Sequence, residues 1–245
     1  MNQKTVVLYI HGIQHSEFDP KQVNDFIQAV SKLLPKGVCV HHISDWGRVV
    51  ADRQRQVYNI VAYRGNWLTR KIREYICTLG LDMWYWLQTR AGNAEGDWAK
   101  DVRKVIDEEI AKLDTTHYSG NKKPKLCLVA HSWGTVIALD YFIRHPERPG
   151  ILVTMGSPAP IYGSSCFSDW GNPKLLGNVA KWVNIGVPSD PISNLMKDNP
   201  NPAWAGIVED VDIPTWSILP MKAHASYWTH KKAIRKVAET ISAFL

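Results

Sequence analysis

The sequence of 245 residues has few cysteines and no long apolar run. Its cysteines, Cys39, Cys77, Cys127 and Cys166, are isolated and lack the Cys-x-x-Cys or Cys/His spacing of a metal site. The longest apolar runs, such as residues 6–10, are far too short to cross a bilayer. We therefore expect reduced thiols, no bound metal, no cofactor and no transmembrane segment. Cys39 and Cys127 lie in apolar runs and are predicted to be buried.

Signals for export and for nucleic-acid binding are also missing. Met1-Asn2-Gln3-Lys4 leads directly into an apolar run, without the h-region and cleavage site of a signal peptide, so we expect a cytoplasmic protein. The formal net charge is +6, with a local basic excess between Arg48 and Arg73. No nucleic-acid motif accompanies this excess, which favours a solvated helix face and leaves only peripheral contact with a membrane open. The sequence does not encode the oligomeric state.

Short apolar runs alternate with helical patterns, which predicts an α/β fold. Thr5–Ile10 is a nearly continuous β-prone run, as in a strand buried on both faces of a parallel sheet. Asp19-Pro20 predicts the start of a helix, and Pro35 and Gly37 predict its end. We expect one domain over residues 1–245, with a mostly parallel central sheet flanked by helices. The further predicted strands cover residues 38–43, 126–130, 151–155, 182–185 and part of 208–219, with helices over 135–144 and near the C-terminus.

The stretch of residues 46–113 departs from this rhythm and is interpreted in part as a helical insertion or lid-like segment. It is rich in tryptophan, of which the whole chain has 11. Its last helix, which carries Val102 and Ile106 on one face, is expected to pack on the sheet. Two alternatives stay open for its aromatic side chains, which either line a lid over an acyl pocket or pack the insertion onto the domain: Trp67, Trp84, Tyr85 and Trp86.

The segment of residues 126–134 carries the strongest functional pattern. An apolar strand is followed by Ala130-His131-Ser132-Trp133-Gly134 and then by a helical run. In a nucleophile elbow the serine occupies a strained turn between strand and helix, so the residues two positions away on each side must be small. Ala130 stands where glycine is usual but is still small. The pattern predicts Ser132 as a nucleophile, the alternative being a glycine-rich turn without chemistry.

A second element is the early strand that ends in His11-Gly12. Hydrolases with a nucleophile elbow need two backbone N–H donors for the developing oxyanion. The residue after the nucleophile, Trp133, supplies one donor. The loop after the early strand supplies the other, because Gly12 lets the backbone approach closely, and we assign that donor to Ile13. A plain turn at the end of the strand is the alternative interpretation.

A serine hydroxyl needs a neighbouring base, which a carboxylate orients. In this arrangement the chain order is serine, acid, histidine. His224 lies in a predicted loop between the last strand and the final helix, from which it can reach the carboxyl edge of the sheet, and is our candidate base. His230 lies near the start of the final helix and is expected at the surface or as a helix cap.

The candidate acid is Asp190, in a loop just past a strand, where Pro191 stiffens the chain. An Asp-Pro turn without chemistry is the alternative. Three other carboxylates compete for the role: Asp198, Asp210 and Asp212.

Together these motifs resemble the lipase and serine-esterase branch of the α/β hydrolases, and are most similar to serine esterases related to GPI-inositol deacylases. The resemblance spans most of the chain and implies hydrolysis of carboxylic esters through an acyl-enzyme, without metal or cofactor. It rests on five segments: His11-Gly12, Ala130-His131-Ser132-Trp133-Gly134, Met155-Gly156-Ser157-Pro158, Asp190-Pro191 and His224-Ala225-Ser226-Tyr227-Trp228.

The expected partner is a small-molecule ester or lipid-like substrate. The loop of residues 161–170 is expected to border the site through Tyr162 or Phe167. Alternatives are a thioesterase, amidase or peptidase with the same triad, and a non-catalytic binding module on the same fold. The residues predicted to contact substrate are His11, Gly12, His131 and Tyr162.

Overall fold

The computed structural model describes residues 4–12, 20–43, 46, 97–118, 122–160, 172–196, 207–214 and 220–245. Most of the predicted insertion therefore lies outside the described residues, as do Ile13, Tyr162 and Phe167. The single-domain boundaries and the lid stay predictions. The elements are numbered here in chain order over the described residues.

Within these ranges the strands form one six-stranded sheet in the order β2-β1-β3-β4-β5-β6, and every neighbouring pair is parallel. All residues of β1 and β4 are buried, which explains why both strands are continuous apolar runs. The predicted parallel sheet is thus confirmed. The strands are β1 Thr5–Ile10, β2 Val38–Ile43, β3 Lys125–His131, β4 Gly150–Met155, β5 Val179–Gly186 and β6 Val208–Asp212.

Helices cover both faces of the sheet, because alternate residues of each strand point to opposite sides. Along β1, Leu8 packs in one core with two of the helices, whereas Val7 and Tyr9 pack in a second core with two others. The helices of the first core are α2 Asp97–His117 and α3 Gly134–Arg144, and those of the second are α1 Pro20–Ser31 and α5 Lys231–Ser242. The short helix α4 Pro220–Ala225 and a 3-10 turn, Ser226–Trp228, precede α5.

Several local predictions can be compared with these elements. The last helix of the predicted insertion, α2, packs on the sheet through Val102 and Ile106, as expected. Cys127 is buried, but the prediction for Cys39 is wrong, since it lies half-buried on the edge strand β2. Of the helices in the described ranges, none combines the length and the apolar character needed to cross a membrane.

Candidate active site

Ser132 lies at the turn between β3 and α3, at the carboxyl edge of the sheet. Its φ of 54° is the only positive φ of a non-glycine residue in the described part of the chain. Such a left-handed conformation is strained and needs external support. Part of that support is the backbone N–H of Ser132, which donates to the carbonyl of Met155 at 2.9 Å. The observed turn has the strand-turn-helix context that the sequence pattern predicts.

A chain of hydrogen bonds fixes the carbonyl side of this turn. The N–H of Ala159 donates to Ser157 Oγ at 3.2 Å, and Ser157 Oγ lies 2.8 Å from Thr135 Oγ1. Thr135 Oγ1 donates to the carbonyl of Ser132 at 2.7 Å, so the Ser157 hydroxyl is the donor to Thr135. Loops after two neighbouring strands are therefore locked together around Ser132.

Two glycines allow the turn to pack closely against β1. A Cβ at Gly134 would lie 2.5 Å from the carbonyl oxygens of Ile10 and His11. A Cβ at Gly12 would lie 2.6 Å from Ser132 Cβ and 3.1 Å from its Oγ. The backbone at Gly12 therefore borders the Ser132 side chain directly, where the sequence predicts the loop that supplies an oxyanion donor.

His224 and Asp190 form a buried pair. His224 Nδ1 donates to Asp190 Oδ2 at 2.8 Å, and the two residues are only 6% and 3% exposed. Asp190 Oδ1 accepts from the backbone N–H of Ile192 at 3.0 Å. Burial acts to raise the pKa of Asp190, but the hydrogen bonds from His224, Ile192 and Tyr227 outweigh it, so this pKa lies below its ordinary value. The carboxylate is thus held ionised beside a histidine.

His131 ties the nucleophile strand to the histidine segment. Its Nε2 donates to the backbone carbonyl of His224 at 2.9 Å, and the two rings lie in contact at a tilt of 37°, with centroids 4.6 Å apart. Burial, and then the charge of His224, hold the pKa of His131 well below its ordinary value. His131 is therefore a neutral, buried ring whose observed partner is a protein group, and its predicted contact with substrate stays a prediction.

His11 is fully buried beneath the site. Its Nδ1 lies 3.2 Å from His42 Nε2, and its ring lies 5.5 Å from that of Trp46. Burial lowers the pKa of His42, which favours a neutral ring beside His11. These contacts show His11 packed inside the protein, and its predicted contact with substrate is not tested by them.

The rival carboxylates occupy other places. Asp210 Oδ1 accepts from Asn184 Nδ2 at 2.8 Å and from the N–H of Met196 at 3.0 Å, so it braces the end of β5. Asp212 ends β6 and is exposed, and Asp198 lies outside the described residues. Of the described candidates, the structure brings only Asp190 to His224.

Of the two late histidines, only His230 lies in the local structure that the sequence predicts. His230 is half-buried and caps α5, with its Nδ1 accepting from the N–H of Lys232 at 3.2 Å, which confirms the cap prediction. The predicted loop around His224 is wrong, because His224 lies in the helix α4. A helix of 6 residues is too short for apolar periodicity to reveal, although Pro220 at its start is a known helix-initiating signal.

Two further residues of the site, Gly156 and Tyr227, have no predicted role. The Tyr227 hydroxyl donates to Asp190 Oδ2 at 2.9 Å. Gly156 has a φ of +57°, and a Cβ there would lie 3.1 Å from both Asp190 Oδ2 and His224 Cε1. The sequence signal for Gly156 was its position directly after a buried strand. The signal for Tyr227 was its position three residues after the candidate base.

No family model matches the chain, and no curated protein matches it. Among solved structures, Est1E from Butyrivibrio proteoclasticus aligns over 99% of this chain and 87% of its own, with 12% identity and a TM-score of 0.50. In this chain the six described strands form a parallel sheet flanked by helices. The chain has the α/β-hydrolase fold. At this identity the likeness concerns the fold alone.

Two other solved structures align with slightly lower TM-scores. An S-formylglutathione hydrolase from Agrobacterium tumefaciens aligns over 98% of this chain and 85% of its own, with 15% identity and a TM-score of 0.49. A dienelactone hydrolase from Anabaena variabilis covers the same shares, with 15% identity and a TM-score of 0.48.

Across the described residues, no group of three or more His, Cys, Asp or Glu side chains is placed to hold a metal ion.

Proposed function

We propose that this protein is a serine hydrolase that cleaves carboxylic esters through an acyl-enzyme. Ser132 is the nucleophile, His224 the base and Asp190 the acid that orients it. The observation that carries the proposal is the left-handed backbone of Ser132 directly after β3. The last residue of the same strand, His131, is hydrogen-bonded to the backbone carbonyl of His224. A strained serine and a buried acid–histidine pair at one sheet edge are the parts that acyl transfer requires.

The proton path follows from the hydrogen bonds. Because His224 Nδ1 carries the proton given to Asp190, Nε2 is the nitrogen of the neutral ring that accepts a proton from Ser132. The Ser132 Oγ attacks the ester carbonyl, and the ionised Asp190 stabilises the imidazolium that forms. His224 then protonates the leaving alcohol, and in the second step it activates the water that releases the acid.

The developing oxyanion is assigned to backbone donors. Trp133 directly precedes α3, so its N–H lies at the positive end of a helix of 11 residues. Ile13 is the second proposed donor, on the basis of its place after Gly12, whose backbone borders Ser132. Losing one such donor costs roughly 10²- to 10³-fold in rate.

The substrate class rests on the sequence resemblance to lipases and GPI-inositol deacylase-like serine esterases. It favours an ester of a small or lipid-like molecule, with Gly12, His11, His131 and Tyr162 as the proposed neighbours of the substrate. The cytoplasmic location and the peripheral membrane contact stay predictions from the sequence.

The test is a series of p-nitrophenyl esters of increasing acyl length, run beside matched thioesters and anilides. We expect the esters to be the best substrates and Ser132→Ala to lose roughly 10⁴- to 10⁶-fold in kcat/KM. Ser31→Ala is the matched control, because the Ser31 hydroxyl donates to the Ile27 carbonyl within α1, away from the site. Faster thioester or anilide turnover would reassign the reaction, and turnover unchanged in Ser132→Ala would contradict the proposal.

A further inference from the structure

We propose that Tyr227 is a positioning residue of this site, whose hydroxyl holds the Asp190 carboxylate in the orientation that serves His224. The inference rests on the proposed function, since it assigns a role within the same site. Within the described residues, the member of the proposed triad that the Tyr227 hydroxyl contacts is Asp190, so Tyr227 acts through Asp190.

The direction of the hydrogen bonds around the phenol is settled by chemistry. The backbone N–H of Val187 donates to the Tyr227 oxygen at 3.0 Å, and this oxygen lies 2.9 Å from Asp190 Oδ2. An ionised carboxylate only accepts, so the single hydroxyl proton of Tyr227 points to Asp190. The phenol thus bridges the end of β5 and the acid that follows it three residues later.

The same carboxylate oxygen receives both neighbours. Oδ2 of Asp190 accepts from His224 Nδ1 at 2.8 Å and from the Tyr227 hydroxyl, while Oδ1 accepts from the N–H of Ile192 at 3.0 Å. Two of the three donors come from the segment of His224 and Tyr227 and one from the loop of Asp190 itself, and together they fix both the position and the rotation of the carboxylate. Hydrogen bonds to a charged acceptor are about twice as strong as those between neutral groups.

The phenol ring is itself held rigidly. It is fully buried, and it occupies the space that the missing side chain of Gly156 leaves, since a Cβ there would lie 2.9 Å from Tyr227 Cε2. Its ring centroid lies 5.5 Å from that of His131. Burial, and then the charge of Asp190, raise the pKa of Tyr227, so the phenol keeps its proton.

The hydrogen bond has a consequence beyond placement. By withdrawing electron density from Oδ2, the phenol weakens the pull of Asp190 on the His224 Nδ1 proton. Without the hydroxyl, the carboxylate becomes a stronger acceptor, the imidazolium is favoured, and the low-pH limb of the kcat/KM profile moves to higher pH. Among the described residues, the ionisable groups that face this pair are His131 at the end of β3 and Tyr227 itself, with His11 acting on His131 and the Ser193 hydroxyl beside the phenol.

The experiment compares Tyr227→Phe with Tyr9→Phe on a p-nitrophenyl ester, with a full pH profile for each. Tyr9 is a buried tyrosine of β1 whose hydroxyl has no hydrogen-bond partner within the described residues. Tyr9→Phe therefore removes a phenol oxygen without breaking a hydrogen bond to a described residue. For Tyr227→Phe we expect kcat to fall roughly tenfold with little change in KM, and the low-pH limb to rise by about half a pH unit. Tyr9→Phe should keep both the rate and the limb.

A second variant covers the case in which Tyr227→Phe does not fold. Replacing Tyr227 by 3-fluorotyrosine keeps the ring and strengthens the hydroxyl as a donor, so the low-pH limb should move to lower pH, opposite to the Phe variant. The positioning role would be overturned if Tyr227→Phe lowered the rate without moving the low-pH limb of the kcat/KM profile, or if that limb lay at the same pH in every variant. Either result would leave the proposed hydrolase intact. Absence of ester turnover in the wild-type protein would overturn both.

Discussion

Two aspartate-centred networks lie in this molecule, and they use similar distances for different ends. Between α2 and α3, Asp140 accepts from Arg103 at 2.8 and 3.0 Å and from Arg144 at 2.8 Å. At the sheet edge, Asp190 accepts from His224 and Tyr227 at 2.8 and 2.9 Å. Both carboxylates are almost fully buried, at 4% and 3% exposure.

The difference lies in the partners. A guanidinium keeps its charge at all accessible pH values and forms bidentate bonds, so Arg103 and Arg144 give Asp140 a permanent and partly exposed counter-charge. In the proposed reaction, by contrast, the His224 imidazole accepts a proton and returns it. The first network joins two helices, and the second contains the acid and base of the proposed reaction. Hydrogen bonding and burial alone would not separate them.

Of the changes that compare the two networks, Asp190→Asn is expected to have the largest effect, a loss of turnover. The amide cannot stabilise the imidazolium and favours the wrong tautomer of His224, so kcat should fall by roughly 10⁴-fold. Ester hydrolysis under saturating substrate measures it. Asp140→Asn, the matched change in the other network, should keep kcat within about twofold, since the α2–α3 ion pairs lie outside the proposed chemistry. Equal losses in the two variants would erase the proposed difference between the networks.

Gly156→Ala should have the next largest effect. Its φ of +57° disfavours any side chain, and the new Cβ would press on Tyr227, Asp190 and His224 at 2.9 to 3.1 Å. Displacing these groups by a fraction of an ångström should lower kcat/KM about 10²-fold. Gly37→Ala is the control, because Gly37 also has a positive φ, +97°, but nothing within 4 Å of a new Cβ. Gly37→Ala should lower the free energy of unfolding by about 1 kcal/mol and leave kcat/KM unchanged.

Asp140→Asn should show its effect in stability. Removing the charge leaves Arg103 and Arg144 without their shared carboxylate, and the free energy of unfolding should fall by about 2 kcal/mol. Urea unfolding at pH 7 measures this loss, with Asp190→Asn as the comparison. A larger loss in Asp190→Asn than in Asp140→Asn would show that the site pair, rather than the helix pair, supports the fold.

The smallest effect concerns pH and His131. Because its pKa in the folded protein lies well below the ordinary value near 6.5, the unfolded chain binds one more proton between those two values. Stability should therefore fall as the pH is lowered below about 6.5. In His131→Gln, which can still donate to the His224 carbonyl, the loss between pH 6.5 and 5.5 should be about 1 kcal/mol smaller. His41 and His42, whose pKa values are also lowered by burial, keep part of the slope in both proteins. Parallel urea titrations that show the same slope in both would contradict this account of His131.

The sheet could be predicted from the sequence because burial on both faces leaves a direct trace. The strand β1 matches its predicted bounds, and β3 and β4 extend theirs by one or two residues. The pattern around Ser132 likewise predicts a turn that is local in the chain. By contrast, α4 is too short for periodicity to show, so the segment of His224 was expected as a loop.

What the sequence could not reveal are the contacts between distant segments. Tyr227 meets Asp190 across 37 positions, and His131 meets the His224 carbonyl across 93. Gly156 matters because three side chains from other segments crowd its missing Cβ. Such roles depend on how loops converge at a sheet edge, and no spacing rule in a single sequence encodes that convergence.

The central claim, that Ser132 is an activated nucleophile, is tested most directly by a fluorophosphonate probe followed by intact-mass and peptide mass spectrometry. The account predicts one adduct per chain, mapped to the Ser132 hydroxyl, formed rapidly in the wild-type protein and absent in Ser132→Ala. Labelling of Asp190→Asn should be strongly slowed, and that of Ser31→Ala unchanged. No adduct on the wild-type protein, or equal labelling of Ser132→Ala, would contradict the claim.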